Sequence, residues 1–312
     1  MKKDKRPWIG LIAVIWAAAL TCPVLAQISP EFSNSKIVLY EGETGDGGYW
    51  TTNMYQTKPL NPSHNVYRTR LIQRRALEEF AEFLSPLRLP FTLGIYASDC
   101  KGGLSDSPHY TYSERAINMC YGFVGLTESG LARLAQLQKT NNWWPPVSPE
   151  QYLAGLYAGV LLHETGHALT DLLDLPVFGR EEDMADQIAA YIALQFGKKD
   201  ARQLILGFAY LWSMFADPTT KSDYADEHGT VSQRLYNTLC IAYGGDPDTF
   251  GDFVNSGWLP PERAQHCADE YRQVDFAFKK TILPFIDQEQ MKKVQARQWF
   301  LPSETREQPL DR

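Results

Sequence analysis

The chain has 312 residues, of which 44% are hydrophobic and 12% aromatic, and its formal net charge is −7. This amount of apolar material is enough for one sizeable core, and the absence of an internal repeat excludes a solenoid or repeat array. The acidic balance argues against nucleic acid or an anionic membrane as a partner, because both favour a basic surface.

The first residues are typical of an export signal. A basic start that ends at Arg6 precedes an uncharged apolar run of 13 residues from Trp8 to Leu20. That run is shorter than the roughly 20 residues needed to span a bilayer. We therefore predict a signal peptide over 1–26, no stable membrane span after its cleavage, and a periplasmic or extracellular location. Cys22 leaves a lipoprotein open as a minor alternative, although the threonine before it fits that reading poorly.

Cysteine usage agrees with export. Beyond Cys22, the chain has an even number of cysteines, which in an exported protein indicates disulfides. Three connectivities are possible, and we favour the two local pairs, Cys100 with Cys120 and Cys240 with Cys267. A zinc site made of all four is the competing hypothesis, but the spacings lack a C-x-x-C pair.

The predicted elements divide the chain into strands followed by helices. Residues 27–66 are rich in glycine and polar residues, contain one strand-like run over 36–40, and are predicted to form an N-terminal extension or a small lobe. A helix over 67–84 is followed by strands over 91–97 and 116–121. Ser148, Pro149 and Gln151 have the pattern of a capped helix start, and that helix can run to about Leu173.

The remaining chain is mainly helical. Apolar spacing predicts helices over 181–195, 201–214, 231–243 and 262–279, and residues 283–312 are predicted to be a polar C-terminal tail. The sequence therefore predicts an α+β fold, in which a small N-terminal sheet packs on a mainly helical core, with the main domain over 67–282.

The motif His163-Glu164-Thr165-Gly166-His167 lies inside the predicted helix from Pro149. Histidines four apart share one helix face and can bind one Zn²⁺ together. Glu164 then lies where its carboxylate can take a proton from a water that the metal activates. Two histidines in an apolar helix would be costly to bury without a partner, so a catalytic zinc site is favoured over a chance match.

A catalytic zinc site needs a third protein ligand, and the next helix offers acidic residues. Glu182 and Asp186 are four apart and share a face. We predict Glu182 as the third ligand and Asp186 as the acceptor of the second ring N–H of a zinc histidine. Glu181 and Asp186 remain alternatives for the ligand, since acidic residues also collect in a first helical turn because they suit the helix dipole.

These motifs are similar to those of known families of zinc peptidases. H-E-x-x-H followed by E-x-x-x-D resembles the gluzincins, the thermolysin-like superfamily of zinc peptidases, and the stretch from His163 to Gln187 is similar to a bacterial family of metallopeptidases assigned by motif. A second block that runs from Asp226 to Gly244 is also similar to that family. The resemblance implies a zincin-like core, one zinc ion and His228 as the stabiliser of the oxyanion, oriented by Asp226. A loop histidine that caps the helix after it is the alternative for His228.

The chain also departs from these relatives. Gly122 stands where the bacterial family has an acidic residue, and the Asn-Ala-aromatic edge strand of many gluzincins is missing. Binding of substrate as an added strand is therefore expected only by analogy.

The predicted function is a secreted zinc metallohydrolase, most simply a peptidase that acts on a peptide or protein substrate with Glu164 as general base. A zinc protein with only a binding or assembly role, and a zinc amidase that acts on a non-protein amide, are the alternatives.

Overall fold

The computed structural model describes residues 28–39, 56, 58–100, 107–140, 148–214 and 225–299. The predicted signal peptide over 1–26, Cys22 and the end of the C-terminal segment lie outside the described residues. None of the helices within the described ranges is long and apolar enough to cross a membrane.

The strands come first and the long helices follow. The strands are β1 (Ile37–Leu39), β2 (Leu93–Ser98), β3 (His109–Thr111) and β4 (Ala116–Cys120). The helices before the long central one are α1 (Asn65–Gln73), α2 (Ala76–Phe83), α3 (Tyr121–Ser129) and α4 (Leu131–Thr140). The later helices are α5 (Pro149–Leu172), α6 (Glu181–Ala193), α7 (Lys198–Met214), α8 (Val231–Gly245), α9 (Pro247–Phe250), α10 (Asp252–Asn255), α11 (Pro261–Thr281) and α12 (Gln288–Ala296). Short 3₁₀ turns lie at Pro30–Phe32, Pro62–His64 and Leu283–Phe285. The predicted α+β fold is confirmed.

The sheet has the strand order β1-β2-β4-β3. The first three strands in that order are parallel, whereas β3 runs antiparallel to β4 and lies at the edge. All residues of β4 are buried, which explains why its sequence is mainly apolar and shows no alternation with exposed residues; its one polar residue, Asn118, donates to the Ser98 hydroxyl at 2.8 Å. Strand β1 lies within the strand-like run predicted over 36–40, and it pairs with β2 in the sheet.

The core lies between the sheet and a layer of long helices. Helix α5 packs against β3 and β4 on one side and against α6 and α7 on the other. Helix α8 packs on α6, α7 and α11. Helix α5 therefore lies between the sheet and the helices α6 and α7.

Both predicted disulfides are present. Cys100 bonds to Cys120 and joins the ends of β2 and β4, and Cys240 bonds to Cys267 and joins α8 to α11. All four thiols are used in these bonds, which excludes the four-cysteine zinc site.

The helix predicted over 67–84 is divided into α1 and α2. Arg75 has a φ of 50°, in the left-handed region, and this ends the first helix. An arginine in that conformation costs free energy, and its guanidinium donates to the buried carboxylate of Glu82 at 2.9 Å. The apolar spacing continues across the break, so the pattern contained no signal for it.

The C-terminal segment also differs from its prediction. In place of a polar tail from residue 283, residues 288–296 form α12, and Trp299 is only 1% exposed. The Trp299 ring packs edge-on against Phe32 and Phe83. A few widely spaced apolar residues anchor this segment, and such spacing is too sparse to stand out in a charged stretch.

Glu82 ties three parts of the chain together. Its side chain is fully buried and accepts hydrogen bonds from the Ser29 backbone N–H at 2.7 Å, from Arg75 at 2.9 Å and from Arg297 at 2.9 Å. Burial alone would raise the pKa of Glu82, but these three donors outweigh it and hold the pKa below its ordinary value. The carboxylate is therefore charged in the folded protein.

We expect Glu82→Gln to lower the free energy of unfolding by about 1–3 kcal/mol, because it weakens the charge-assisted hydrogen bonds that a fully buried carboxylate makes with two partly exposed arginines. The depressed pKa gives the wild type stability that is present above the unfolded pKa of about 4.3 and is lost as the pH falls through the lower folded pKa. Urea unfolding at pH 7 and along an acid series measures both effects. Glu289→Gln, in an exposed pair with Lys292, is the matched control, and equal losses in the two variants would contradict this role of Glu82.

Candidate metal centre

The histidine motif lies in the buried C-terminal half of α5. The helix begins as predicted, with Ser148 as the N-cap, a reciprocal capping box with Gln151 and Pro149 in the first turn. Gly166, between the two histidines, is in contact with α6, where an added Cβ would lie 2.6 Å from the Cα of Ala185. Because only glycine allows this close approach, the motif itself brings the acidic helix α6 against the histidines.

Three ligand-type atoms converge between α5 and α6. Nε2 of His163 lies 3.3 Å from Nε2 of His167 and 3.1 Å from Oε2 of Glu182, and Nε2 of His167 lies 3.3 Å from Oε1 of Glu182. A tetrahedral metal with bonds of about 2.0–2.1 Å separates its ligand atoms by about 3.3 Å. The three side chains therefore have the spacing of a metal site, and together they form a group able to hold an ion.

Glu182 has an unusual environment for a carboxylate. Its Oε2 atom is buried, and no donor within the described part of the chain is aligned to hydrogen-bond it. Burial would raise the pKa of Glu182, but the ring nitrogens of His163, His167 and His228 outweigh burial and hold the pKa well below its usual range. A buried, charged oxygen without an aligned donor is what a cation would satisfy.

Each histidine of the motif has a carboxylate on its other ring nitrogen. Nδ1 of His163 lies 2.8 Å from Oδ1 of Asp186, and Nδ1 of His167 lies 2.8 Å from Oε1 of Glu181. A proton on each Nδ1 would leave both Nε2 atoms free to face Glu182. Asp186 thus lies where we predicted an acceptor, and Glu181, considered as an alternative ligand, lies on the outer side of His167.

The pKa values of both histidines follow from these carboxylates. Burial alone would lower the pKa of His163, yet Asp186 and Glu182 raise it to about 9. Burial likewise opposes a rise at His167, where Glu182 and Glu181 nevertheless move the pKa above its ordinary value. The site is therefore strongly negative, and it favours a cationic occupant, whether protons or a metal ion.

Arg234 is the main residue that sequence reasoning missed. It is buried, and its Nε and Nη2 atoms each donate to Asp186 at 2.7 Å. Its guanidinium also lies over the ring of Trp212, 3.7 Å from the ring centroid. Burial would raise the pKa of Asp186, but His163 and Arg234 hold it below its ordinary value. Arg234 lies in the second block that is similar to the bacterial family, but no local pattern predicted its ion pair with a residue on another helix.

Glu164 faces the sheet. Its Oε2 atom accepts a hydrogen bond of 2.9 Å from the backbone N–H of Tyr110 on β3. Burial raises the pKa of Glu164, against the opposing effect of the two histidines. A fixed carboxylate with a raised pKa next to a candidate metal site is a candidate general base and acid.

His228 approaches the same centre from the start of α8. Its Nε2 lies 3.1 Å from Oε2 of Glu182, and its Nδ1 lies 2.7 Å from Oδ1 of Asp226. The contact with Asp226 is therefore as expected. The alternative, in which His228 caps the following helix, is wrong, because Thr230 forms that cap in a capping box with Gln233. The carboxylates of Glu182 and Asp226 raise the pKa of His228, although burial opposes them.

The other histidines in the described ranges are not among the three converging ligand-type residues. His64 pairs with Asp99 at 2.5 Å, and His266 is exposed on α11. His109 lies beside Cys100 and Cys120 in a second group with metal-ligand atoms. Since both of those sulfurs are in a disulfide, this second group is not a metal site.

One comparison with known proteins is informative. The model of the DUF4344 family, described as Putative metallopeptidase, matches residues 55–282. The match contains every residue of the centre described above. No curated protein and no solved structure matches the chain.

Proposed function

The chain belongs to this family of putative metallopeptidases, and on that premise we propose that it is a zinc-dependent peptidase of the gluzincin type. In this proposal His163, His167 and Glu182 are the metal ligands. The observation that carries it is the convergence of two Nε2 atoms and the Glu182 carboxylate at the separations of a tetrahedral site. Imidazole nitrogens with one carboxylate suit zinc.

The residues around the ligands favour a catalytic metal site over a purely structural one. Within the described ranges, three protein atoms converge on the centre, whereas a purely structural zinc site is usually closed by a fourth protein ligand. Glu164 is next to the first ligand and is held by the edge strand β3. Such a strand can also pair with an extended peptide, which favours a peptide substrate.

In the proposed reaction, the ion would act together with two side chains, Glu164 and His228. A zinc ion held by the three ligands would polarise the scissile carbonyl and lower the pKa of the attacking water. Glu164, with Oε2 held by the Tyr110 N–H, takes a proton from that water at Oε1 and later delivers it to the leaving amine. His228, whose Nδ1 is fixed by Asp226, donates from Nε2 to the oxyanion that forms on the substrate.

Asp186 and Arg234 keep this arrangement in place. Asp186 fixes the tautomer of His163, and Arg234 balances the charge of Asp186 inside the core. The two disulfides and the predicted signal peptide support action outside the cytoplasm, in the periplasm or beyond the cell. A metal-binding role without catalysis, and hydrolysis of a non-protein amide, are the competing functions.

Cleavage of an unbiased peptide library by the protein lacking residues 1–26 tests the proposal. We expect cleavage by the zinc-loaded protein, loss of cleavage after removal of the metal by a chelator, and recovery when zinc is returned. Cleavage that survives complete metal removal would contradict the proposal. Bound zinc without cleavage of any peptide would favour one of the two competing functions.

A further inference from the structure

Glu181 links the metal centre to the sheet. Its Oε1 atom accepts a hydrogen bond from Nδ1 of His167 at 2.8 Å and another from the hydroxyl of Tyr112 at 2.5 Å. Tyr112 directly follows the edge strand β3, and Glu181 is the first residue of α6. The Tyr112 hydroxyl and Nδ1 of His167 therefore contact the same oxygen of Glu181.

The hydrogen bond from Tyr112 limits the orientations that the Glu181 carboxylate can take. The Glu181 side chain is 32% exposed, and it sits in the first turn of α6, where water and unpaired backbone N–H groups compete for it. The hydroxyl of Tyr112 is a second donor to the same oxygen, Oε1, that His167 contacts. With both donors in place, the carboxylate has one orientation, and the His167 ring has one orientation with it.

A neighbouring tyrosine, Tyr110 on β3, provides a comparison within the molecule. Tyr110 also donates its hydroxyl to a carboxylate, that of Asp171 at 2.6 Å, and its ring packs edge-on against Tyr112. Tyr110 on β3 and Tyr112 just after it thus make similar bonds to neighbouring helices. Only the carboxylate bonded to Tyr112 contacts a histidine of the centre.

We propose that Tyr112 is a positioning residue for the metal centre, which acts through Glu181 on the tautomer and orientation of His167. This inference rests on the proposed function, because it takes His167 to be a metal ligand through Nε2. Through these contacts, the turn that follows β3 helps to orient one of the proposed metal ligands. Loss of outer partners of metal-bound histidines typically lowers metal affinity 10–100-fold, and Tyr112 is one bond further out.

The test compares Tyr112→Phe with Tyr110→Phe. We expect Tyr112→Phe to weaken zinc binding about 10-fold in competition with a chromogenic chelator, and to change the visible absorption spectrum of the cobalt-substituted protein. Tyr110→Phe loses an equivalent hydroxyl bond and should keep the wild-type zinc affinity and cobalt spectrum. Thermal unfolding of both variants shows whether they are folded.

Two further variants separate an effect of Tyr112 through Glu181 from an effect through packing. Glu181→Ala and the double variant Glu181→Ala with Tyr112→Phe should have the same zinc affinity, since the carboxylate through which Tyr112 acts is absent from both. Equal zinc affinities in Tyr112→Phe and Tyr110→Phe, with wild-type protein that binds zinc, would overturn the inference and leave the proposed function standing. Wild-type protein that binds zinc no better than His163→Ala would overturn both.

Discussion

Glu164→Gln is expected to lower the rate of peptide hydrolysis by about 10²–10⁴-fold, the usual contribution of a general base, while the metal content stays at the wild-type value. The amide keeps the shape of the side chain, and its oxygen can still accept the hydrogen bond from the Tyr110 N–H. It cannot take the proton of the attacking water. Steady-state rates on the best peptide of the library, measured beside the zinc content, separate chemistry from binding.

The matched control for this prediction is Glu114→Gln, an exposed glutamate on the turn between β3 and β4. It should hydrolyse peptide at the wild-type rate. A Glu164→Gln protein with full activity would remove Glu164 from the mechanism, even if the metal site itself were correct. Loss of both metal and activity would indicate that the substitution had disturbed the ligands.

Glu182→Ala is expected to have the largest effect on metal binding. It removes one of three converging ligand atoms, so the loss of affinity should exceed the 10–100-fold that follows from losing an outer hydrogen-bonding partner. Zinc content after dialysis should fall from one ion per chain to near zero. The remaining two histidines would bind only weakly, because a stable site needs at least three protein ligands.

Asp183→Ala is the control for the ligand prediction. Asp183 lies one residue further along α6 and pairs with Arg180 at 2.9 Å, so it has a different partner from the ligand set. This variant should keep its zinc. Normal zinc content in Glu182→Ala would contradict our ligand set and would point to Glu181 or Asp186, which the sequence left as alternatives.

Local features of the sequence predicted much of the fold. The start of α5 was predicted correctly, because Ser148 and Gln151 satisfy each other within one turn. The facing pair His163 and His167, and the facing pair Glu182 and Asp186, also depend only on helical spacing. The disulfides could be predicted as local pairs in an exported chain. In all these cases, the deciding interaction is within a short stretch of sequence.

Contacts between distant segments could not be predicted in this way. Arg234 is 48 residues from Asp186, and Tyr112 is 69 residues from Glu181. The hydrogen bonds between them exist because α5 brings β3, α6 and α8 to one side of the core. The burial of Trp299 against Phe32 and Phe83 likewise depends on partners far along the chain. The roles of Arg234 and Tyr112, unlike that of Asp186, therefore became visible only in three dimensions.

X-ray anomalous scattering at the zinc absorption edge, from crystals of the metal-loaded protein, tests the central claim most directly. We predict one peak between α5 and α6, within about 2.0–2.2 Å of Nε2 of His163, Nε2 of His167 and a carboxylate oxygen of Glu182. A peak at another place in the molecule, or no peak in protein that cleaves peptides, would contradict the account of this chain as a metallopeptidase that acts through these residues.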